Sequence, residues 1–247
     1  MNYVPRIQEK EITAFIEDNS PHKDVLLVEG ARQTGKTTLV EHALSGIKRK
    51  AVKINLERKP ALLSKIDSCN DFSDFTALLE DTFGFDPSAG HVLFIDESQE
   101  SRKLGGFVRF MKEEWGNATV ILSGSTLTRL FRPSVRYPVG RVRRCTVTPF
   151  SFTEFLSALG KKREVKTVIE DVRELPPSRH NHLLELYDNY LTVGGLPRVV
   201  GDYASGKDYV KRREEIVADY EQDFIRIFGE DLIAIVKACF RSVARFA

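Results

Sequence analysis

The eight residues from Gly30 to Thr37 restrict the possible folds of this chain more than any other feature. They read Gly-Ala-Arg-Gln-Thr-Gly-Lys-Thr and match the pattern G-x-x-x-x-G-K-T. An apolar run at residues 25–28, typical of a strand buried on both faces, precedes them, and a helix is predicted from residue 36 to about 44. Glycines in such a turn let backbone N–H groups converge at the positive end of the helix. The pattern therefore predicts a loop that binds phosphate.

The loop also predicts which atoms meet a nucleotide. Lys36 is placed to reach the β- and γ-phosphates of ATP, and the Thr37 hydroxyl is placed to bind Mg²⁺. Because the charge of Lys36 meets the phosphoryl group that is transferred, this lysine is also a catalytic candidate. We expect ATP or ADP to be held by nine residues: Gly30, Ala31, Arg32, Gln33, Thr34, Gly35, Lys36, Thr37 and Thr38.

Strand-like and helix-like segments alternate through the first part of the chain. Strands are predicted at residues 25–28, 51–56, 92–95, 119–122 and 145–148, and helices at 6–18, 36–44, 71–83 and 105–115. This alternation predicts an α/β fold with a mostly parallel five-stranded sheet flanked by helices. Residues 161–180 are polar and read as a linker or mobile segment, and residues 182–247 read as helical. We predict a P-loop ATPase domain at 1–160 and a smaller all-helical region at 161–247.

Two carboxylates follow the buried strand at residues 92–95. Ligands of open α/β sheets bind at the C-terminal edge of the strands, so Asp96 is expected to hold Mg²⁺ through water. Glu97 is expected to orient and deprotonate the attacking water as a general base. The alternative is an ordinary acidic strand end before a turn. Ser98 and Gln99 can add polar contacts.

Serines follow the fourth predicted strand, in the run Ser123-Gly124-Ser125. In some ATPases this strand lies between the strand that precedes the phosphate-binding loop and the strand that precedes the two carboxylates. In that arrangement Ser123 or Ser125 can contact the γ-phosphate or the attacking water. The alternative is a turn in which a serine caps the next helix. Ser123 is the catalytic candidate of the pair.

The strongest local charge bias lies at residues 129–144. This stretch has no acidic residue and contains Arg129, Arg132, Arg136, Arg141, Arg143 and Arg144. One arginine can stabilise charge on the transferring phosphoryl group, within the chain or across a subunit contact. The stretch can instead bind a nucleic-acid backbone or a protein partner, or be a solvated loop with surface ion pairs.

Composition narrows the class of protein. The formal net charge is only +2, from 37 basic and 35 acidic residues, so no global charge favours nucleic acid or membrane. The N-terminus lacks the apolar core of a signal peptide, and no stretch is long and apolar enough to span a bilayer. Three widely separated cysteines fit neither a zinc site nor a disulfide framework. The expectation is a cytoplasmic protein.

With these residues in hand, the chain resembles the bacterial and archaeal AAA-type P-loop ATPases, a group usually described only as ATP-binding proteins. The resemblance rests on segments beginning at Tyr3 (Tyr-Val-Pro-Arg), Gly30 (the loop), Phe94 (Phe-Ile-Asp-Glu-Ser-Gln), Leu122 (Leu-Ser-Gly-Ser), Pro138 (Pro-Val-Gly-Arg), Thr148 (Thr-Pro-Phe-Ser-Phe-Thr-Glu-Phe) and Tyr190 (Tyr-Leu-Thr-Val-Gly-Gly-Leu-Pro-Arg). In this family the ATPase core usually precedes helices, a winged-helix-like segment and an uncharacterised C-terminal domain. That domain is largely absent here, so the chain is expected to be a short or truncated version.

The resemblance implies that Arg141 senses the γ-phosphate. Strand polarity argues against this within one chain, because Arg141 enters the predicted fifth strand from the N-terminal edge of the sheet. The hypothesis that reconciles the two is action in trans, which requires a homo-oligomer.

Together these observations predict Mg²⁺-dependent hydrolysis of ATP to ADP and phosphate, coupled to a conformational change in the helical region. Two alternatives stay open. One is a nucleotide-gated switch that hydrolyses ATP slowly and binds DNA or a protein partner. The other is a P-loop kinase of small molecules, although a water-activating Glu97 brings a kinase no advantage.

Overall fold

The computed structural model describes residues 3–131, 138–170, 175–229 and 232–246, which form two compact units. The first unit is Val4–Phe150, and the second contains the described residues from Ser151 onward. Each has its own architecture.

The first unit is built on a five-stranded parallel sheet. Its elements in chain order are α1 (Glu9–Glu17), β1 (Val25–Glu29), α2 (Lys36–Ser45), β2 (Ala51–Asn55), α3 (Pro60–Ser68), α4 (Phe72–Phe83), β3 (Val92–Asp96), α5 (Leu104–Glu114), β4 (Thr119–Gly124) and β5 (Val142–Thr146), with short 3₁₀ turns at Ser98–Glu100 and Leu127–Arg129. The strand order is β2-β3-β4-β1-β5, and every neighbouring pair is parallel. The α/β fold predicted from the sequence is confirmed.

Two apolar layers hold this sheet between its helices. On one face, Leu27 and Ile95 pack with side chains of α3, α4 and α5, including Phe75. On the other face, Leu26 and Phe94 pack with α1 and α2. Successive strand residues point to opposite faces, so the continuous apolar runs serve both layers. Each fully buried Leu, Ile or Phe contributes about 1.5–3 kcal/mol to this packing.

The strand order determines where chemistry can occur. β4 lies between β1 and β3, and β5 lies beside β1. Because all five strands are parallel, the segments that follow β1, β3 and β4 leave the sheet at one edge.

The sequence prediction differs from the first unit in two places. Helix α3 was not predicted, because its buried face consists only of Leu62 and Ile66. Strand β5 begins at Val142, three residues before the predicted start. As an edge strand, β5 exposes Arg143 and Arg144, so the apolar signal for a strand is weak there.

The second unit is entirely helical in its described residues, as predicted. Its helices are α6 (Phe152–Ala158), α7 (Lys162–Glu170), α8 (Pro177–Val193), α9 (Pro197–Ala204), α10 (Tyr209–Phe228) and α11 (Ile233–Phe246). The break between α8 and α9 falls at Gly194, the residue after α8. None of the described helices has the length and apolar character needed to cross a membrane.

Two predictions about the second unit need correction. The boundary predicted after residue 160 lies after Phe150, because α6 packs with α7, α8 and α9. The fully buried ring of Phe155 lies 5.4 Å from that of Tyr190 and 5.9 Å from that of Tyr203. The linker predicted at 161–180 is largely helical, since it contains α7 and the start of α8; residues 171–174 lie outside the described residues. Helix α7 buries no residue fully, so its sequence looks like a solvated segment.

Candidate active site

The loop after β1 adopts a curled backbone with three residues at positive φ. These are Gly30 (φ 151°), Gln33 (φ 63°) and Gly35 (φ 90°), and Gly35 directly precedes α2. A β-carbon at Gly30 would lie 2.1 Å from the carbonyl oxygen of Val147, just beyond β5. Only glycine fits there, so the first glycine of the pattern is required by the close approach of the segment after β5.

Lys36 lies inside the curl of the loop. Its Nζ donates hydrogen bonds to the carbonyl oxygens of Gly30 (2.9 Å) and Ala31 (2.8 Å). Burial lowers the pKa of Lys36, while the carboxylates of Glu97 and Asp96 act in the opposite direction. The loop thus holds a buried cation at the N-terminus of α2, where an anion is favoured.

The other predicted loop residues differ in burial and in their partners. Thr34 is buried and its hydroxyl donates to the Ala31 carbonyl at 3.0 Å. Arg32 lies 3.9 Å from the Glu57 carboxylate. Thr38 is exposed in the first turn of α2.

The ends of three strands and the start of helix α2 meet at Asp96. Its Oδ2 accepts hydrogen bonds from Thr37 Oγ1 (2.8 Å) and from Asn55 Nδ2 (2.9 Å), and its Oδ1 accepts one from Ser123 Oγ. Asn55 is the last residue of β2, Ser123 is the penultimate residue of β4 and Thr37 lies in the first turn of α2, while Asp96 itself ends β3. Of these partners, Asn55 was missed by the sequence reasoning; its position at a strand end was the available signal.

The oxygen atoms around Asp96 suit a magnesium ion. Mg²⁺ takes one or two protein oxygen ligands and completes its shell with water and substrate phosphate. Thr37 Oγ1 and the Asp96 carboxylate supply such oxygens next to the phosphate-binding loop. The residues present therefore fit the ion.

Glu97 leaves β3 in the left-handed conformation, with φ 53° and ψ 42°. This conformation is uncommon for a residue other than glycine. Gln99 Nε2 donates a hydrogen bond to Glu97 Oε2 at 2.6 Å. Burial raises the pKa of Glu97, the Gln99 hydrogen bond opposes that shift, and the charge of Asp96 adds to it. A carboxyl group whose affinity for a proton is raised is suited to take one from water.

Arg6 supports the phosphate-binding loop through hydrogen bonds, a role that was not predicted from the sequence. Its guanidinium donates to the carbonyl oxygens of Thr34 (2.8 Å) and Thr148 (2.6 Å) and stacks over the ring of Phe150 at 4.8 Å. The side chain is buried. It therefore joins the phosphate loop to the segment after β5. The only indication of this role in the sequence was that residues 3–6 belong to the segments that carry the family resemblance.

The structure does not bring the arginine-rich stretch to this edge. The Arg141 carbonyl accepts a hydrogen bond from the N–H of Val25, the first residue of β1. The loop follows the last residue of β1, about 13 Å further along the strand. The Arg141 side chain instead bonds Glu113, with Nε and Oε1 2.7 Å apart.

Two other arginines of the stretch also face carboxylates. Arg143 lies 3.2 Å from Glu11, and Arg144 lies 3.4 Å from Glu29. Arg129 is exposed, and Arg132 and Arg136 lie outside the described residues. Exposed pairs of this kind contribute about 0–1 kcal/mol each.

Comparison with known proteins relates this geometry to a family. A family model described as an AAA domain matches residues 22–156, more than half of the chain. No curated protein shows a significant match. Among solved structures, a Walker-type ATPase of Pyrococcus abyssi is 18% identical, with a TM-score of 0.55 over 99% of this chain and 78% of that chain. Drosophila ORC bound to DNA is 14% identical, with a TM-score of 0.48 over 95% of this chain and 65% of that chain. The first likeness is one of fold alone, and the second is too distant to support an argument.

Proposed function

The chain belongs to the AAA domain family of P-loop ATPases, and on that premise we propose that it hydrolyses ATP to ADP and phosphate with Mg²⁺. The observation that carries the proposal is the position of Glu97. Its carboxylate follows Asp96, which bonds the loop residue Thr37, and burial raises its pKa. A proton acceptor is thus combined with a phosphate-binding loop and a pair of Mg²⁺-binding oxygens.

Each residue has a defined task in the proposed reaction. The loop N–H groups and Lys36 bind the β- and γ-phosphates, and Thr37 with Asp96 holds Mg²⁺, which neutralises phosphate charge. Glu97 accepts a proton from water as the water oxygen attacks the γ-phosphorus. The bond to the β–γ bridging oxygen then breaks and its electron pair leaves with ADP. Ser123 keeps the Asp96 carboxylate oriented through its hydrogen bond.

We include two further expectations in the proposal. Hydrolysis is coupled to a change in the helical unit, and the protein acts in the cytoplasm, since its three cysteines are free thiols. We do not extend the proposal to nucleic acid through the arginine-rich stretch. Arg141, Arg143 and Arg144 each face a glutamate, which reduces the positive field that a phosphate backbone would meet.

The test compares the parent protein with Glu97→Gln. The parent should release phosphate from ATP without any added acceptor, and chelation of Mg²⁺ should stop the release. Glu97→Gln keeps the side chain's shape but removes the base, so turnover should fall about 10²–10⁴-fold while calorimetry shows ATP binding retained. Glu114→Gln, an exposed glutamate at the end of α5, serves as the matched control. Phosphate release by Glu97→Gln at the parent rate would remove Glu97 from the mechanism. Formation of ADP only with an added acceptor, without release of free phosphate, would favour the kinase.

A further inference from the structure

Gln99 carries a polar group that the reaction described above does not use. Its side chain is 5% exposed, and its Nε2 donates to Glu97 Oε2 at 2.6 Å. Because an ionised carboxylate only accepts hydrogen bonds, the amide nitrogen must face Glu97 and the amide oxygen must face away. That oxygen, Oε1, is buried and has no hydrogen-bond partner in the part of the chain that the structure describes.

The Oε1 atom of Gln99 rests against Gly124, the last residue of β4. A β-carbon at Gly124 would lie 1.9 Å from Oε1 and 2.9 Å from Leu127 Cδ2. The amide therefore occupies space that exists only because this residue is glycine. The preceding residue, Ser123, bonds Asp96, so the end of β4 supports Asp96 directly and Glu97 through Gln99.

This arrangement lowers the stability of the fold, so stability does not explain it. A buried acceptor without a partner is destabilising, and an apolar side chain of similar size would avoid that cost. The left-handed backbone of Glu97 also requires support from its surroundings, since such positions are strained for residues other than glycine. Unfavourable local features held in place by their neighbours are typical of functional sites.

We propose that Gln99 is a positioning residue for Glu97, seated on Gly124 at the end of β4. The inference rests on the proposed function, because it deepens the role of Glu97 in hydrolysis. By holding Oε2 of Glu97, Gln99 fixes the direction of the carboxylate and leaves Oε1 of Glu97 to accept the proton from the attacking water. Because Gly124 has no β-carbon, the Gln99 amide can lie close enough to β4 for the amide nitrogen to reach the Glu97 carboxylate.

The first experiment replaces Gln99 with leucine, which is close in size and cannot hydrogen bond. The expected result is a fall in kcat of about 10²-fold, the scale that misplacing a catalytic group by about 1 Å produces. The dissociation constant of ATP, measured by calorimetry, should stay at the parent value, and the thermal midpoint should not fall. Gln8→Leu is the matched control, because Gln8 also has a buried Oε1 without a partner among the described residues, yet its Nε2 bonds the Thr146 carbonyl.

The second experiment tests the contact between the Gln99 amide and Gly124 with a double-variant cycle. Gly124→Ala should lower kcat because its methyl group displaces the Gln99 amide. Gln99→Ala should lower kcat similarly, and it also makes room for that methyl group. The kcat of the double variant should therefore be no lower than that of Gln99→Ala alone. Additive losses of kcat would mean that Gly124 acts through β4 or Leu127, and the proposed role of its contact with Gln99 would be wrong.

The outcomes separate this inference from the proposed function. A parent protein that releases no phosphate overturns hydrolysis and the inference together. A parent that releases phosphate, with Glu97→Gln inactive and Gln99→Leu at the parental kcat, overturns the inference alone. A loss of ATP affinity equal to the loss of kcat in Gln99→Leu would assign Gln99 to nucleotide binding and would also overturn it.

Discussion

At the residue scale, two glycines on either side of helix α2 differ in the room they leave for a methyl group. Gly30, before the helix, has φ 151° and leaves no room for a β-carbon, because Val147 O would lie 2.1 Å away. Gly46, the residue after the helix, has a right-handed backbone and nothing within 4 Å of the same position.

Gly30→Ala should therefore lower the free energy of unfolding by about 1–3 kcal/mol, the usual cost of overpacking, and weaken ATP binding as the loop shifts. Gly46→Ala should leave ATP binding unchanged and stabilise by about 0.4–1 kcal/mol, since alanine reduces the freedom of the unfolded chain. Urea unfolding and an ATP titration of both variants measure the difference. Equal losses in the two would contradict the close approach of residue 147 to the loop.

The site was predictable from the sequence where its residues belong to local patterns. Lys36 and Thr37 follow a glycine-rich turn, and Asp96 and Glu97 follow an apolar run. Arg6 and Asn55 could not be assigned in this way, because their contacts join residues far apart in the chain, such as Arg6 with Thr148. Such pairs depend on strand order, which no local pattern contains.

At the element scale, four of the five strands begin at the predicted residue. β1, β3 and β4 are continuously apolar because they are covered on both faces, and the edge strand β2 is marked by its buried Val52 and Ile54. Strand β5 and helix α7 were misjudged, because elements with a solvent-exposed face carry charged residues that resemble loops. Partial coverage by neighbours weakens the apolar signal on which prediction depends.

The burial of individual elements also predicts thiol chemistry. Cys145 on β5 is buried, which raises its pKa to about 12, and burial likewise raises the pKa of Cys69; Cys239 on α11 is exposed. Because the thiolate is the reacting form, a chromogenic disulfide reagent at pH 8 should modify only Cys239 rapidly in the folded protein. Cys239→Ser should abolish that fast phase, and denaturant should expose the two slow thiols. Fast modification of two thiols in the native protein would contradict the packing of β5 or of α3.

At the scale of the whole molecule, the place of Arg141 at the opposite edge of the sheet limits how it can serve ATP. The hypothesis that it acts in trans predicts that Arg141→Ala binds ATP normally and loses turnover. Lys36→Ala should bind ATP weakly, since one charge-assisted contact contributes about 1.5–3 kcal/mol.

Mixing the Arg141→Ala and Lys36→Ala proteins should then restore part of the activity, because each supplies the half-site that the other lacks. Phosphate release from the mixture, with light scattering to determine the oligomeric state, measures this. A monomer without rescue would leave Arg141 as the partner of Glu113 alone, stabilising the N-terminal edge of the sheet.

The convergence of three strand ends and helix α2 on Asp96 has a consequence for the order in which the protein folds. Its hydrogen-bond partners Asn55, Thr37 and Ser123 lie 41, 59 and 27 residues away along the chain. Contacts between such distant residues form slowly, because long loops must close before the contacts stabilise the chain. A partly folded chain therefore lacks the full set of donors around this carboxylate even when the loop and α2 have formed. On the proposed function, we therefore expect the capacity to bind a metal–nucleotide complex to arise only when the sheet has assembled.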